Sequence, residues 1–317
     1  MKKIKTLLIG LGKIGFSNDL YNENQFLSHS KVLKKINYID FVCGVDKDKR
    51  KLSKFKEKYK IDASNNLRHS ILKHKPSFIV VSVNTDNLFF LLKKIHNFET
   101  VKNVLVEKPG CKNFNNLKEI INIYKKKKIN LYINYNRSYD LKIRNFFKNI
   151  KSKDYFKSVY LYNRGFLNNC SHFLNLVFLN LDLPKKIQIL KKGKKFKSDI
   201  QPDVKLTFKN GEILFVYKKR YKTSHNEFFL HNKKYKLKSN KNFTDLKKYK
   251  KIRNAPIQNK DKYLYYSNYK IDKKIYQIKV YNEILKNKNI KLIKKINESS
   301  LKILYFYRKL TNNYNKK

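Results

Sequence analysis

Residues 5–15 read KTLLIGLGKIG, an apolar run that ends in glycines at 10, 12 and 15. The run predicts a buried strand, and the spacing Gly10-x-Gly12-x-x-Gly15 predicts the turn that follows the first strand of a dinucleotide-binding sheet. Gly10 permits a tight turn, Gly12 lets backbone approach a pyrophosphate, and Gly15 allows close packing of the next helix on the strand. The start of that helix, with Lys13 and Ile14 on the turn, is expected to receive the phosphates. The chain holds only eight glycines, and three stand here in register.

Working outward, short apolar runs alternate with helix-like segments through the first third, which predicts parallel βαβ units. Strands are expected over 5–9, 39–45, 77–83, 103–106 and 129–134, with amphipathic helices between them. An acidic residue at the end of the second strand should hydrogen-bond the adenosine ribose, and FVCGVDKDKR supplies Asp46. It lies 31 residues beyond Gly15, longer than the usual ~20, and the polar stretch 17–28 accounts for the excess as an inserted loop. Asp46 favours NAD over NADP, while Arg50 and nearby lysines leave NADP open. The dinucleotide is also expected to rest on backbone at Val83–Asn84.

Beyond residue 135 the rhythm changes. Strands over 154–164, 185–190, 203–208 and 212–219 follow one another, with Asn210-Gly211 read as a positive-φ hairpin turn and a second hairpin over 227–230 and 235–237. The expected fold is therefore an N-terminal Rossmann doubly wound parallel sheet followed by a C-terminal open-faced antiparallel sheet: α/β plus α+β. The expected boundaries are 1–135, 136–298 and a terminal helix 299–312 packing back on the first domain. Helices are expected over 276–285 and 300–310, a frayed tail over 311–317, and no assigned structure over 239–270.

Composition sets the outer limits. At 317 residues with 41% hydrophobic residues the chain can bury a substantial core, which excludes intrinsic disorder. Its net charge of +52 comes from 75 basic residues, only eight of them arginine, spread along the whole chain. Base readout favours arginine, so the lysine excess reads as A/T-rich codon usage rather than a nucleic-acid footprint. The charge still draws phosphorylated or carboxylated ligands. Cys43, Cys111 and Cys170 lie far apart without C-x-x-C spacing, so neither a disulfide framework nor a metal motif is expected, and the setting expected is a reducing cytoplasm. No apolar run reaches the roughly 18–20 residues that span a bilayer, so no membrane association is expected.

One lysine is placed unlike the others. In KNVLVEKPGCKN, residues 102–113, Lys108 stands between Glu107 and Pro109 at the carboxyl end of a predicted parallel strand, where open α/β sheets bind ligands. The glycines, Asp46, the VEKP segment at 106–109 and YNRSY at 135–139 together resemble the Gfo/Idh/MocA family (glucose-fructose oxidoreductase, inositol dehydrogenase and relatives), by motif over about residues 1–180 and by architecture beyond.

That resemblance implies an NAD(P)-dependent oxidoreductase that moves a hydride to or from a sugar carbon, with Glu107 and Lys108 beside the nicotinamide. It further implies that Asn136 and Arg137 touch substrate near the domain junction. The family's second motif, Asp-x-Gly-x-His-x-x-Asp, aligns with GFLNNCSHFLNL: His172 matches its histidine, while Asn168, Cys170 and Asn175 replace the acids and the glycine. The implied roles are His172 as general base, Asn168 orienting it, Lys108 stabilising the developing alkoxide and Asn175 touching substrate, with Lys108 and His172 expected in one cleft. Loss of the motif acids keeps open a non-catalytic dinucleotide-binding homologue, and a cationic nucleic-acid binder is the least supported alternative. A nucleotide-activated or acidic sugar in surface-polysaccharide synthesis is the substrate class implied. A homo-oligomer is expected because open sheet faces are usually covered by a partner.

Overall fold

The computed structural model describes residues 3–151, 154–219, 226–240, 243–251, 263–287 and 289–316. The chain divides into two compact units, one formed by Met1–Tyr139 with Lys273–Leu304 and the other by Asp140–Asp272 with Tyr305–Lys317.

The first unit holds β1 (Ile4–Ile9), α1 (His29–Lys35), β2 (Ile39–Val45), α2 (Lys49–Tyr59), β3 (Asp62–Ser64), α3 (Leu67–His74), β4 (Phe78–Val81), α4 (Thr85–Ile95), β5 (Asn103–Glu107), α5 (Phe114–Lys126) and β6 (Asn130–Asn134). The strands form one parallel sheet in the order β3-β2-β1-β4-β5-β6, so the winding reverses between β1 and β4. Central strands of such a sheet are covered on both faces, which explains their unbroken apolar runs. Leu7 and Leu8, all of β4 from Phe78 to Val81, and Val104, Leu105 and Val106 are 0% exposed. The helices bury one stripe each, Leu88, Leu92 and Ile95 on α4 and Leu117, Ile120 and Tyr124 on α5, at the spacing of an amphipathic helix. Side chains close their first turns: Asp48, Asn66 and Asn113 each accept a backbone N–H of the helix that follows.

Two features of this unit differ from expectation. The expected helix after the glycine turn does not start there: α1 begins at His29, and the turn is followed by a short 3-10 segment, Ser17–Asp19. His29 and Ser30 nonetheless donate their backbone N–H groups to the carbonyls of Ile14 and Gly15, so α1 takes up the hydrogen bonding that the turn leaves off. The inserted loop is held by buried Asp19, whose Oδ2 accepts from Leu27 N at 2.6 Å and Ser28 N at 3.1 Å. The segment over 276–285 is α-helical only across its first part, α8 (Tyr276–Tyr281), and continues as a π-helical stretch, Asn282–Lys286.

The second unit contains α6 (Leu141–Phe147), β7 (Phe156–Tyr162), α7 (Phe166–Phe178), β8 (Lys186–Lys191), β9 (Asp203–Phe208), β10 (Gly211–Tyr217), β11 (Asn226–Asn232), β12 (Tyr235–Ser239), β13 (Asp245–Lys251) and β14 (Tyr263–Lys270). They form one sheet in the order β14-β13-β12-β11-β7-β10-β9-β8. The β7–β10 pair is parallel and the other described pairs are antiparallel. With few Ala and no Trp in the sequence, its core is built from rings: Tyr160 stacks on Phe173 at 4.2 Å, and Phe147, Phe215, Phe228 and Phe243 close around them.

Three expectations are corrected here. The β9–β10 register pairs Phe208 with Gly211, so Lys209 and Asn210 form the turn and Gly211 opens the strand. Gly211 carries no positive φ; its requirement is room, since a Cβ there would stand 2.4 Å from the Phe156 ring. Residues 239–270 are not without structure: β13 and β14 lie there, held by backbone pairing despite a lysine-rich pattern with little apolar alternation, while 252–262 lie outside the described residues. The tail is not frayed up to Lys316. After α8 (Tyr276–Tyr281), helix α9 runs from Ile290 to Lys316, and the Tyr314 hydroxyl donates to the carbonyl of Gly193 at 2.6 Å. Within α9, Ser300 donates to the carbonyl of Pro109 in the first unit, and Tyr307 donates to Asp199 in the second. No described helix is long and apolar enough to cross a membrane.

Candidate dinucleotide site and the flanking motifs

The glycine turn shows why those residues stand where they do. Gly10 has φ +91°, and a Cβ on it would lie 2.3 Å from the Ser82 carbonyl oxygen. Gly15 packs so tightly that a Cβ would clash with the Gly10 carbonyl oxygen. At Gly12, by contrast, a Cβ would meet nothing within 4 Å, so the middle glycine faces open space. That is the contrast a pyrophosphate cradle requires: two glycines close the turn and the third leaves its backbone accessible.

Beside it lies a cavity of about 410 Å³ at the carboxyl ends of β1, β2 and β4, where the winding reverses. Gly10, Gly12, Asp46, Val83 and Asn84 line it together. Asp46 is held from two sides: its Oδ2 accepts from Leu11 N at 2.7 Å and its Oδ1 from Asp48 N at 3.0 Å, with the Lys51 ammonium 3.9 Å away. The carboxylate thus ties the glycine turn to β2 and still borders the cavity. Lys13 and Ile14 are exposed on the same turn, and Gly15 is buried beneath it. Lining residues that the motifs did not reveal include Lys47, Lys51, Asn65, Phe90 and Lys94. Most of them fall within a few residues after β2 and β3 or on α4, a placement that needs the sheet order rather than a motif. Phe90 is 68% exposed, an unusual cost for a phenyl ring unless something covers it. The open glycine, the carboxylate and the apolar wall fit an adenosine dinucleotide.

Glu107, the last residue of β5, is held by its neighbours. Its Oε1 accepts from Asn134 Nδ2 at 2.6 Å and from His29 Nε2 at 3.0 Å. His29 is 0% exposed, and its Nδ1 lies 2.8 Å from the Tyr281 hydroxyl, while Asn134 also donates to Gln277 at 3.0 Å. Burial pushes the Tyr281 phenol well above its ordinary value, so it keeps its proton and donates. The sequence offered no sign of this chain, because its members lie on α1, β5, β6 and α8. Lys108 follows, half-exposed, in a turn closed by Gly110 N donating to the Glu107 carbonyl at 3.0 Å and by Ser300 Oγ donating to the Pro109 carbonyl at 2.8 Å. Asn136 and Arg137 are half-buried in a 3-10 turn, Asn136–Tyr139, directly after β6.

In the second unit, Asn168, His172 and Asn175 share α7. Asn168 is exposed and its Nδ2 donates to the Arg164 carbonyl at 3.3 Å; His172 is half-buried; Asn175 is 0% exposed. A carboxylate absent from the motif does reach this helix. Asp199 accepts from Leu167 N at 3.1 Å, from Asn168 N at 2.8 Å and from the Tyr307 hydroxyl at 2.7 Å, capping α7 at its N-terminus. Tyr307 is accordingly pushed above its ordinary range, by burial first and by Asp199 second. Gly165, at φ +84°, leaves the space that Asp199 fills.

Comparison with known proteins agrees with this geometry. No curated protein sequence matches the chain. Among solved structures, the dehydrogenase MviM of Clostridium difficile superposes with a TM-score of 0.71 at 18% identity, covering 98% of this chain and 100% of that one. YvaA of Bacillus subtilis gives 0.78 at 12% identity, covering 99% and 97%. The UDP-N-acetylglucosamine 3-dehydrogenase GnnA of Acidithiobacillus ferrooxidans gives 0.70 at 11%, covering 96% and 98%. At these identities the likeness is one of fold. Residues 4–135, from the first strand through the last strand of the parallel sheet, match the family model described as the Gfo/Idh/MocA oxidoreductase family, NAD-binding Rossmann fold, and over that part the chain is similar to NAD-binding oxidoreductases.

Proposed function

We propose that the chain transfers a hydride between NAD(P) and a carbon bearing a hydroxyl or carbonyl group on a sugar, with a nucleotide-activated or acidic sugar of surface-polysaccharide synthesis as the substrate class. The observation that carries the reading is the cavity at the switch point of the parallel sheet, where the open Gly12 and the anchored Asp46 meet. The substrate class rests on the lysine-rich surroundings, which favour anionic ligands, and on GnnA, a nucleotide-sugar dehydrogenase of like fold.

The dinucleotide, when bound, supplies the hydride donor or acceptor. Asp46 takes the ribose hydroxyls on the edge of its carboxylate turned to the cavity, and Gly12 admits the diphosphate. Lys108 donates to the substrate oxygen as alkoxide character develops, a charge stabilisation for which its pinned turn prepares it. His172 accepts the hydroxyl proton, Asn168 sets the helix turn before it, and Asn136 and Arg137 bind substrate. We assign the protein to the cytoplasm as a homo-oligomer.

A non-catalytic dinucleotide-binding protein is the second reading, favoured by the full burial of Asn175. Nicotinamide absorbance followed with a panel of nucleotide sugars and keto sugars separates the two: dinucleotide binding without turnover on any of them selects the second.

A further inference from the structure

Far apart in sequence, Cys43 on β2, Asp62 on β3 and His74 closing α3 bring a thiol sulfur, a carboxylate oxygen and an imidazole nitrogen within 4.8 Å of one another. The fold accounts for the meeting: Cys43 and Asp62 are register partners in the parallel β2–β3 ladder, and α3 packs back over β2. His74 Nε2 lies 2.8 Å from Asp62 Oδ2, and Lys73 Nζ lies 2.8 Å from the same oxygen.

The three groups form a cup with the thiol at its base. Cys43 is 0% exposed, whereas the side chains of His74 and Asp62 are 16% and 33% exposed, so the thiol is the buried member of the three. The rim of the cup already holds a cation: Lys73, with a 54% exposed side chain, supplies the ammonium and is free to swing outward. Sulfur, imidazole and carboxylate are the donor set that zinc-class ions take, commonly with three protein ligands and one water.

We propose that Cys43, Asp62 and His74 bind a thiophilic divalent cation of the zinc class, with solvent in the fourth position. Binding breaks the Cys43 S–H bond, releases that proton to bulk water and forms the metal–sulfur bond; His74 gives up to solvent the Nε2 hydrogen it directs at Asp62 and keeps or takes one on Nδ1, and the Lys73 ammonium leaves Asp62. Burial pushes the Cys43 thiol up to about 11, so the metal has to supply the driving force for deprotonation. The site belongs to the edge of the parallel sheet and does not rest on the proposed activity.

Cobalt(II) is the probe, because a thiolate ligand gives it an intense near-ultraviolet charge-transfer band and its visible bands report four-coordination. The full chain, treated with chelator and then titrated, should take up one equivalent with both features. Cys43→Ser should lose the charge-transfer band, Cys111→Ser should keep it, and His74→Gln should weaken binding by more than roughly tenfold. Lys73→Ala, which removes the competing ammonium at the surface, should tighten it. Absence of a stoichiometric thiolate band in the unmodified chain overturns the proposal, as does a band that survives His74→Gln and Lys73→Ala at unchanged affinity, a comparison that stands even where Cys43→Ser folds poorly.

Discussion

The imidazole of His29 joins Glu107 to Tyr281 across two hydrogen bonds, 3.0 Å at Nε2 and 2.8 Å at Nδ1, with no exposed surface of its own. The carboxylate only accepts, so the imidazole directs an Nε2 hydrogen at Glu107. Replacing His29 by Leu leaves the buried Tyr281 hydroxyl unpaired and takes from Glu107 one of the two donors on its Oε1, Asn134 remaining. We expect a loss of about 2–4 kcal/mol in stability, read from urea unfolding, and a smaller loss of about 1 kcal/mol for Tyr281→Phe.

The glycine turn separates two effects of one methyl group. Gly12→Ala meets no atom, so thermal unfolding should stay where it is while dinucleotide affinity falls by roughly tenfold or more, about 1.4 kcal/mol. Gly15→Ala drives a methyl into the Gly10 carbonyl and should lower both together. Calorimetric titration with NADH alongside melting curves distinguishes them; equal behaviour of the two variants would count against the cradle.

Asp46 both anchors the turn and borders the cavity. Asp46→Asn preserves one acceptor oxygen but removes the charge that opposes a 2′-phosphate, so the ratio of NADH to NADPH affinity should fall, helped by Lys47 and Lys51 in the same wall. Fluorescence titration with each reduced cofactor measures that ratio.

For Lys108 the expectation is a split between binding and chemistry. Lys108→Ala should reduce kcat by about 10²–10³ with dinucleotide affinity nearly unchanged. Unaltered turnover on a substrate found by the sugar panel would remove this residue from the mechanism.

Alkaline pH should unfold the protein through its tyrosines. Burial raises Tyr124, Tyr135 and Tyr162 above their ordinary value and pushes Tyr132 up to about 12. The folded state therefore retains protons that the unfolded chain releases near pH 10, and the stability from these groups, complete below about 10, is lost as pH rises beyond it. Without tryptophan to obscure it, the absorbance of the buried tyrosinates should grow in step with the loss of helical ellipticity.

How much of this was legible depended on whether neighbours in space were neighbours in sequence. The glycine turn, Asp46 and Val83–Asn84 could be read because each belongs to a short segment at the end of a strand whose apolar run announced it. Phe90 and Lys94, on the face of α4 that borders the cavity, could be placed only once the sheet order was known. The His29–Glu107–Asn134 chain, the Asp199 cap on α7 and the Cys43–Asp62–His74 cluster were out of reach, because each joins elements that pair only after folding. Lysine-rich β13 and β14 escaped for a different reason: what holds them is the backbone ladder, and side-chain alternation reports it only where one face is apolar.

Between Gly15 and His29 the chain makes a detour and returns to the glycine turn, since the amides of His29 and Ser30 find the carbonyls of Ile14 and Gly15 as though residues 16–28 were not there. A ruler laid along the polypeptide therefore misjudges the distance from glycine turn to acid, whereas one that counts rungs of the ladder does not. Such a detour adds little closure entropy for its length, and it offers the fold a place to gain or shed residues while the walls of the nucleotide cavity stay put.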